Sequence, residues 1–323
     1  MKKGLFFINV IGLMTIAHST FAVNVPQQVT SSNIISDYAK TQYPIAFVHG
    51  MFGFERLGFD SFGMDYFYQV LPDLARHGAT TFATQVSPIE SSEIRGEQLI
   101  GQVEEIMAIT GKAKVNLIGH SHAGSTIRYV EAIKPEYVAS LTGVGATFRG
   151  SRIGDMTLEN PISNPISSLI ADYLIGPILT WASHNPYTTT NMHRGLVSVS
   201  EAGSAAFNAT YPTPALADAC DQTGAYSNQG RYYYSWTGTS QVTNVLDVID
   251  MGVSTLAPIA YGNLDNDGVA PRCSTHFGKV IRDDYKLTHL DETNLVLGLR
   301  DVFAPDPVSL YRQHANRLKL QGL

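Results

Sequence analysis

Residues 115–124, Val-Asn-Leu-Ile-Gly-His-Ser-His-Ala-Gly, constrain this chain more than any other stretch. A β-prone apolar run, Val115 to Ile118, enters a turn of small residues around Ser121, and a helix-like pattern follows from Ser125 to Lys134. Strand, tight turn with a central serine, then helix is the order of a nucleophile elbow. Such a turn holds its serine in a strained backbone, so that Oγ stands clear of the sheet. It needs small residues on both sides, because bulk at Gly119 or Ala123 would strike the neighbouring strand or helix. The following helix points its N-terminus at the serine, where developing negative charge is favoured. Ala123 stands where the usual G-x-S-x-G pattern has its second glycine, and alanine is the least costly replacement. An ordinary strand-to-helix turn with an incidental serine is the alternative.

The first 22 residues read as an export signal rather than as part of the fold. Lys2 and Lys3 make a basic start, Leu5 to Ala17 an apolar stretch, and Thr20-Phe21-Ala22 a cleavage site. The apolar stretch is too short to favour a membrane-spanning helix, and no later run is long enough, so no integral membrane segment is expected in the mature chain. Removal of the signal takes away two lysines and no acids, which moves the formal charge from -6 to -8. A mildly acidic chain gives no electrostatic reason to bind nucleic acid. What remains, 23–323, suits one α/β domain with an insertion better than two domains. Cys220 and Cys273 are the two cysteines, and export makes a disulfide their default state.

Tyr43-Pro44-Ile45-Ala46-Phe47-Val48 reads as a buried strand ending in a glycine-punctuated loop, His49-Gly50-Met51-Phe52-Gly53. Such a loop donates one oxyanion N–H while the residue after the nucleophile donates the other, which nominates the amides of Met51 and His122. Helices are expected at Tyr66–His77 and Glu93–Thr110, the second stopped by Gly111. Strands are expected at Thr80–Val86 and Val138–Val144. This alternation implies a mostly parallel central sheet flanked by helices. A histidine base should then lie C-terminal, among His184, His193, His276, His289 and His314. Lys279–Asp283 looks like a last strand, and His289 lies beyond its C-terminal end, at the edge where parallel sheets carry their sites. His276 precedes that strand. His314 falls in a polar helix pattern, Ser309–Lys319, and reads as part of a solvated face. Four acids compete for the third position: Asp265, Asp267, Asp247 and Asp250. Asn266-Asp267-Gly268 is a tight turn that would present a carboxylate, or simply a turn-former with its side chain in water.

Residues 151–200 interrupt the strand–helix rhythm. Ile166, Leu169, Ile170, Tyr173, Leu174, Pro177, Ile178 and Trp181 recur at helical spacing, and the segment is apolar nearly all round. Such a helix needs cover on both faces or a lipid-like partner. It reads as a lid over an apolar acyl pocket, with a buried core helix as the alternative.

Taken together, these residues resemble the bacterial true lipases of the Pseudomonas and Burkholderia type, which are α/β-hydrolases. The resemblance covers nearly all of the mature chain, Tyr43 to about Lys319. It rests on the runs at 43–51, Arg-Gly-Glu-Gln-Leu at 95–99, Lys-Val-Asn-Leu-Ile-Gly-His-Ser-His at 114–122 and Tyr-Tyr-Ser-Trp at 233–236. His-Leu-Asp-Glu at 289–292 and Tyr-Arg-Gln-His-Ala-Asn-Arg-Leu-Lys at 311–319 complete the set. It implies an α/β-hydrolase fold, to which the apolar spacing above adds a helical lid insertion at about 151–200. It places nucleophile, acid and base on Ser121, Asp267 and His289, and the oxyanion donors on Met51 and His122. It pairs Cys220 with Cys273. It also implies one structural Ca²⁺, held by the carboxylates of Asp247 and Asp291 and the backbone carbonyls of Leu295 and Leu299; oxygen ligands suit that ion.

The implied activity is that of a secreted triacylglycerol lipase, a serine esterase exported through the periplasm that acts at an oil–water interface with help from a lipase-specific foldase. A carboxylesterase on short-chain esters without interfacial activation is the nearest alternative. An inactive hydrolase fold that only binds lipid is the more distant one. Ala123 and the divergent stretch 151–200 depart from the family pattern.

Overall fold

The structure is a computed structural model that describes residues 25–59, 62–159, 189–216, 220 and 224–323. In chain order its strands are β1 (Gln27–Val29), β2 (Ile45–Val48), β3 (Arg56–Phe59), β4 (Phe62–Asp65), β5 (Thr81–Thr84), β6 (Val115–His120), β7 (Val138–Val144), β8 (Ser227–Asn228), β9 (Arg231–Gly238) and β10 (Lys279–Tyr285). The helices that follow or cover them are α1 (Val70–Arg76), α2 (Ser92–Thr110), α3 (Ala123–Ile133), α4 (Arg152–Glu159), α5 (Met192–Val199), α6 (Glu201–Thr210), α7 (Val248–Ser254), α8 (Ala257–Tyr261) and α9 (Pro307–Leu320).

The central sheet runs β1-β5-β2-β6-β7-β9-β10, with β8 on the flank of β9. From β5 to β10 every pairing on that path is parallel; β1 and β8 pair antiparallel. The inner strands β2, β6 and β7 are buried at every position. Their side chains alternate between two cores. Ala46, Val48, Val115 and Leu117 face the side covered by α2 and α3, with Leu99, Val103, Ile127 and Val130. Ile45, Phe47 and Ile118 face the other side, where α1 and α9 bring Val70, Leu71, Leu74 and Tyr311. Burial on both faces is why these strands read as unbroken apolar runs.

Local sequence sets the helix ends. Ser91 caps α2 by accepting from the Ile94 N–H, and Gly111 closes it in the left-handed region (φ 63). Asp306 caps α9 by accepting from the Ser309 N–H, with Pro307 in the first turn. The expected helix at Tyr66–His77 starts only at Val70. Gln69 adopts a left-handed backbone (φ 61) that breaks the helical path, so Tyr66 and Phe67 stand before it as buried packing residues. The hairpin β3–β4 and the edge strand β1 have no clear sequence signal and were not expected.

One expectation is overturned. His314 does not lie on a solvated face but is 1% exposed, with Nε2 at 2.8 Å from the Thr142 hydroxyl under the rings of Tyr234 and Trp236. The polar residues around it hid the fact that α9 packs one stripe on the sheet. Cys220 and Cys273, 53 positions apart, form a disulfide. The apolar helix expected at 166–181 lies outside the described residues. Its two flanks meet: the Ser151 N–H donates to the Val199 carbonyl (2.8 Å), and Arg194 on α5 pairs with the buried Glu90. No described helix is long and apolar enough to cross a membrane.

Candidate active site

Ser121 sits between β6 and α3 with φ 58, in the left-handed region that a non-glycine residue rarely adopts. Its N–H donates to the Val144 carbonyl (3.0 Å), and its own carbonyl accepts from the Gly124 N–H (3.0 Å). Close packing explains the small residues around it. A Cβ on Gly119 would lie 2.8 Å from the Ala123 carbonyl oxygen and 3.1 Å from the Ala123 Cβ. A glycine at 119 is therefore what lets an alanine occupy 123. Nothing at the elbow opposes the sequence reading of Ser121 as nucleophile.

His289 follows the end of β10, and its Nδ1–H donates to Asp267 Oδ2 at 2.7 Å. The other Asp267 oxygen accepts from the amides of Val269 (2.8 Å) and Ala270 (2.7 Å), and the His289 N–H donates to the Asp267 carbonyl (2.8 Å). Both side chains are buried. That network fixes the tautomer and leaves Nε2 with a lone pair. It also separates the four competing acids. Asp265 lies out in an ion pair with Arg272, while Asp247 and Asp250 belong to a different cluster.

Residues that the sequence did not single out hold this arrangement. The ring of His120, immediately before the serine, lies 4.4 Å from that of His289. Its Nε2–H donates to the His289 carbonyl (2.9 Å), and its Nδ1 accepts from the Tyr66 hydroxyl (2.7 Å). Glu292 Oε1 accepts from the Gly238 amide (2.6 Å) and the Thr237 hydroxyl (3.0 Å). Burial and the neighbouring charge of Asp267 push the Glu292 carboxyl well above the usual range. His120, His289 and Glu292 bring three possible metal-ligand atoms within 4.8 Å of one another. Both ring nitrogens of His120 and Nδ1 of His289 are engaged in hydrogen bonds, which leaves His289 Nε2 as the one imidazole nitrogen open among them. Burial lowers the His120 imidazole well below its usual value, so it stays neutral.

The oxyanion loop is held from α2. Arg95 is fully buried, and its guanidinium donates to the carbonyls of His49 (2.6 Å), Gly50 (3.3 Å), Ser87 (2.8 Å) and Pro88 (3.3 Å) and to the Thr126 hydroxyl (3.2 Å). Burial lowers this group to about 9, which leaves it charged at neutral pH. Among the described residues neither the Met51 nor the His122 amide donates to another acceptor, so both stay free for a substrate oxygen. The imidazole of His122 lies 3.0 Å from the Ser92 hydroxyl through Nε2, tying the elbow to the start of α2. A buried arginine inside an otherwise helical apolar stripe was the signal in the sequence; only the fold shows what it holds.

Of the candidate calcium ligands, the structure brings Asp247 and Asp291 near enough for Asp247 to act on the Asp291 carboxyl. Asp247 and Asp291 are 1% and 3% exposed, and Asp250 beside them is 2% exposed. Asp247 Oδ1 accepts from the amides of Ile249 (3.0 Å) and Asp250 (3.1 Å). Asp291 Oδ2 accepts from the Thr243 hydroxyl (2.6 Å) and the Thr288 amide (3.1 Å). Burial, Asp247 and Asp291 push the Asp250 carboxyl up to about 8. Buried carboxylates that face one another without a cationic partner among the described residues fit a hard divalent cation. Leu295 and Leu299 lie on the adjoining loop, where Asn294, Val296 and Leu297 take φ values of 57, 53 and 58. For a β-branched residue such as Val296 that backbone is strained.

Comparison with known proteins bears on the fold and the family. The family model for the alpha/beta hydrolase fold matches residues 43–243. A triacylglycerol lipase of Vibrio cholerae serotype O1 is 44% identical over 299 residues, 91% of this chain and 94% of that protein. A triacylglycerol lipase of Burkholderia plantarii is 37% identical over 321 residues, 88% of each chain. Among solved structures, a Staphylococcus hyicus lipase superposes with a TM-score of 0.57 at 16% identity, over 91% of this chain and 99% of its own; that likeness speaks to the fold alone.

Proposed function

The chain belongs to the α/β-hydrolase family as a triacylglycerol lipase, a carboxylic ester hydrolase, and from that footing we propose that Ser121, Asp267 and His289 carry its chemistry on acylglycerol esters. The observation that carries the assignment is the 2.7 Å bond from His289 Nδ1 to Asp267 beside a serine in a strained elbow. Ser121 Oγ attacks the acyl carbonyl while His289 Nε2 takes its proton. Asp267 holds the imidazole orientation and stabilises the imidazolium. The amides of Met51 and His122 receive the developing oxyanion, an interaction worth roughly 3 kcal/mol per donor. His289 then protonates the leaving alkoxide. Water, deprotonated by the same imidazole, hydrolyses the acyl-enzyme.

A structural Ca²⁺ belongs to the same proposal. Asp247 and Asp291 would hold it through carboxylates, and Leu295 and Leu299 through carbonyls. It would supply charge neutralisation rather than a reaction step. Asp291 is two residues from His289, so the ion would brace the base's loop. Residues 1–22 as a signal peptide, export through the periplasm, maturation by a lipase-specific foldase, and a lid within 151–200 complete the reading. Sequence resemblance supports each of these.

Replacing Ser121 by alanine tests the core of it. Hydrolysis of an emulsified long-chain triglyceride and of a soluble short-chain ester should both fall to about a thousandth or less of wild type. The thermal midpoint should stay in place. Retained turnover would remove Ser121 as nucleophile. In the wild type, a rate that jumps when the substrate forms an interface supports the lipase with a lid, and a rate indifferent to it supports the short-chain esterase.

A further inference from the structure

We infer that Asp250 is a third carboxylate ligand in the proposed calcium site, making this chain's site more acidic than the pair Asp247 and Asp291 alone. The inference rests on the calcium reading above and adds to it.

Asp250 lies on the first turn of α7, three positions after Asp247. Asp247 caps that turn through Oδ1, so the two side chains share one face of the helix start. Asp250 Oδ2 is fully buried and has no hydrogen-bond partner among the described residues. A buried carboxylate oxygen left unmatched costs stability unless a proton or a cation meets it. The charged groups that act most strongly on Asp250 are Asp247, Asp291 and Asp267, all acidic, and the Thr288 hydroxyl bonds to its carboxyl. No lysine or arginine is among them.

Each neighbouring acid keeps one oxygen without a hydrogen bond to a described residue. The hydrogen bonds of Asp247 with described residues fall on Oδ1 and those of Asp291 on Oδ2. One oxygen of each therefore remains for an ion, together with the orphaned Asp250 Oδ2. The three do not converge within 4.8 Å, as expected of like charges facing one another, and a divalent ion is what would draw them in. Hard cations such as Ca²⁺ take six to eight oxygens, so a third carboxylate can join two others and two carbonyls without crowding. A site with three negative ligands binds more tightly than one with two.

Calcium titration of ion-stripped protein by calorimetry is the test, on wild type and on Asp250→Asn. The variant should bind at least roughly tenfold more weakly, since one ligand charge is lost. Europium as a calcium substitute gives a second readout independent of activity. Its luminescence lifetimes in H₂O and D₂O count bound waters, and Asp250→Ser should admit one more than wild type. The europium excitation band of wild type alone reports how many carboxylates ligate, which covers the case of variants that fail to fold; two instead of three overturns the inference. Equal affinity and equal water count in variant and wild type also overturn it and leave the calcium site standing. Wild type that binds no calcium removes both.

Discussion

At the residue scale the site depends on approaches too close for any larger side chain. Gly50 shows this best. A Cβ there would lie 2.8 Å from the Ser121 Cβ and 2.8 Å from the Tyr66 hydroxyl, and 3.2 Å from the His120 carbonyl. Gly50→Ala should thus push the oxyanion loop off the elbow. A displacement near 1 Å costs about a hundredfold in rate, so kcat should fall by that order with only a modest loss of stability. An unchanged kcat would show that the loop can shift without moving Met51. Ser121 and His289 were legible from the sequence because each follows a strong strand signal at a predictable edge. Asp267 was not separable from Asp265, Asp247 and Asp250 until the resemblance named it. What singles it out physically is its bond to His289, made across 22 residues of chain, while the local amides of Val269 and Ala270 hold its other oxygen.

At the element scale, α2 holds the candidate oxyanion loop, and the β3–β4 hairpin follows that loop in the chain. Arg95 projects from α2 to the carbonyls of His49 and Gly50 and to those of Ser87 and Pro88. A lysine has a point charge and a compact head, and it cannot span that fan of acceptors. Arg95→Lys should lower kcat roughly tenfold to a hundredfold, with KM little changed and the thermal midpoint reduced, because a donor to the oxyanion is then misplaced. Parallel changes in kcat and KM would point instead to a damaged acyl pocket. At the start of the hairpin, Glu55 is raised to about 7 by burial and by Asp65. Its native form holds a proton up to that pH, whereas the unfolded chain releases it near the ordinary value of 4.5. Between those limits the native state binds more protons, so this group's contribution to stability falls as pH rises through the window. Glu55→Gln should therefore gain thermal stability relative to wild type at pH 8 and little at pH 4. Melting curves that stay parallel across that range would show that Glu55 is not held protonated. The hairpin was missed because its short strands carry no clean alternation. The α2 helix was legible to within one residue because both its caps are written in the sequence.

For the whole molecule, the proposed calcium site would couple the sheet to the loops at its C-terminal edge. Asp247 follows β9, whereas Asp291, Leu295 and Leu299 follow β10. An ion held between them would tie the base's loop to the rest of the fold. Exhaustive chelation should lower the melting temperature and cause progressive loss of activity, and metal analysis should find one calcium per chain. Chelation without effect on either would remove the site. The sequence by itself determined the layered α/β architecture, the elbow and the place of His289 beyond the last strand, because periodicity, caps and small-residue turns are local and follow from backbone sterics. Only the tertiary structure decided that His314 is core, that Arg95 holds the oxyanion loop, and that Asp250 faces Asp247 and Asp291. Those roles depend on burial and on partners distant in sequence. A polar side chain at helical spacing looks the same on paper whether it meets water, a carbonyl or another carboxylate.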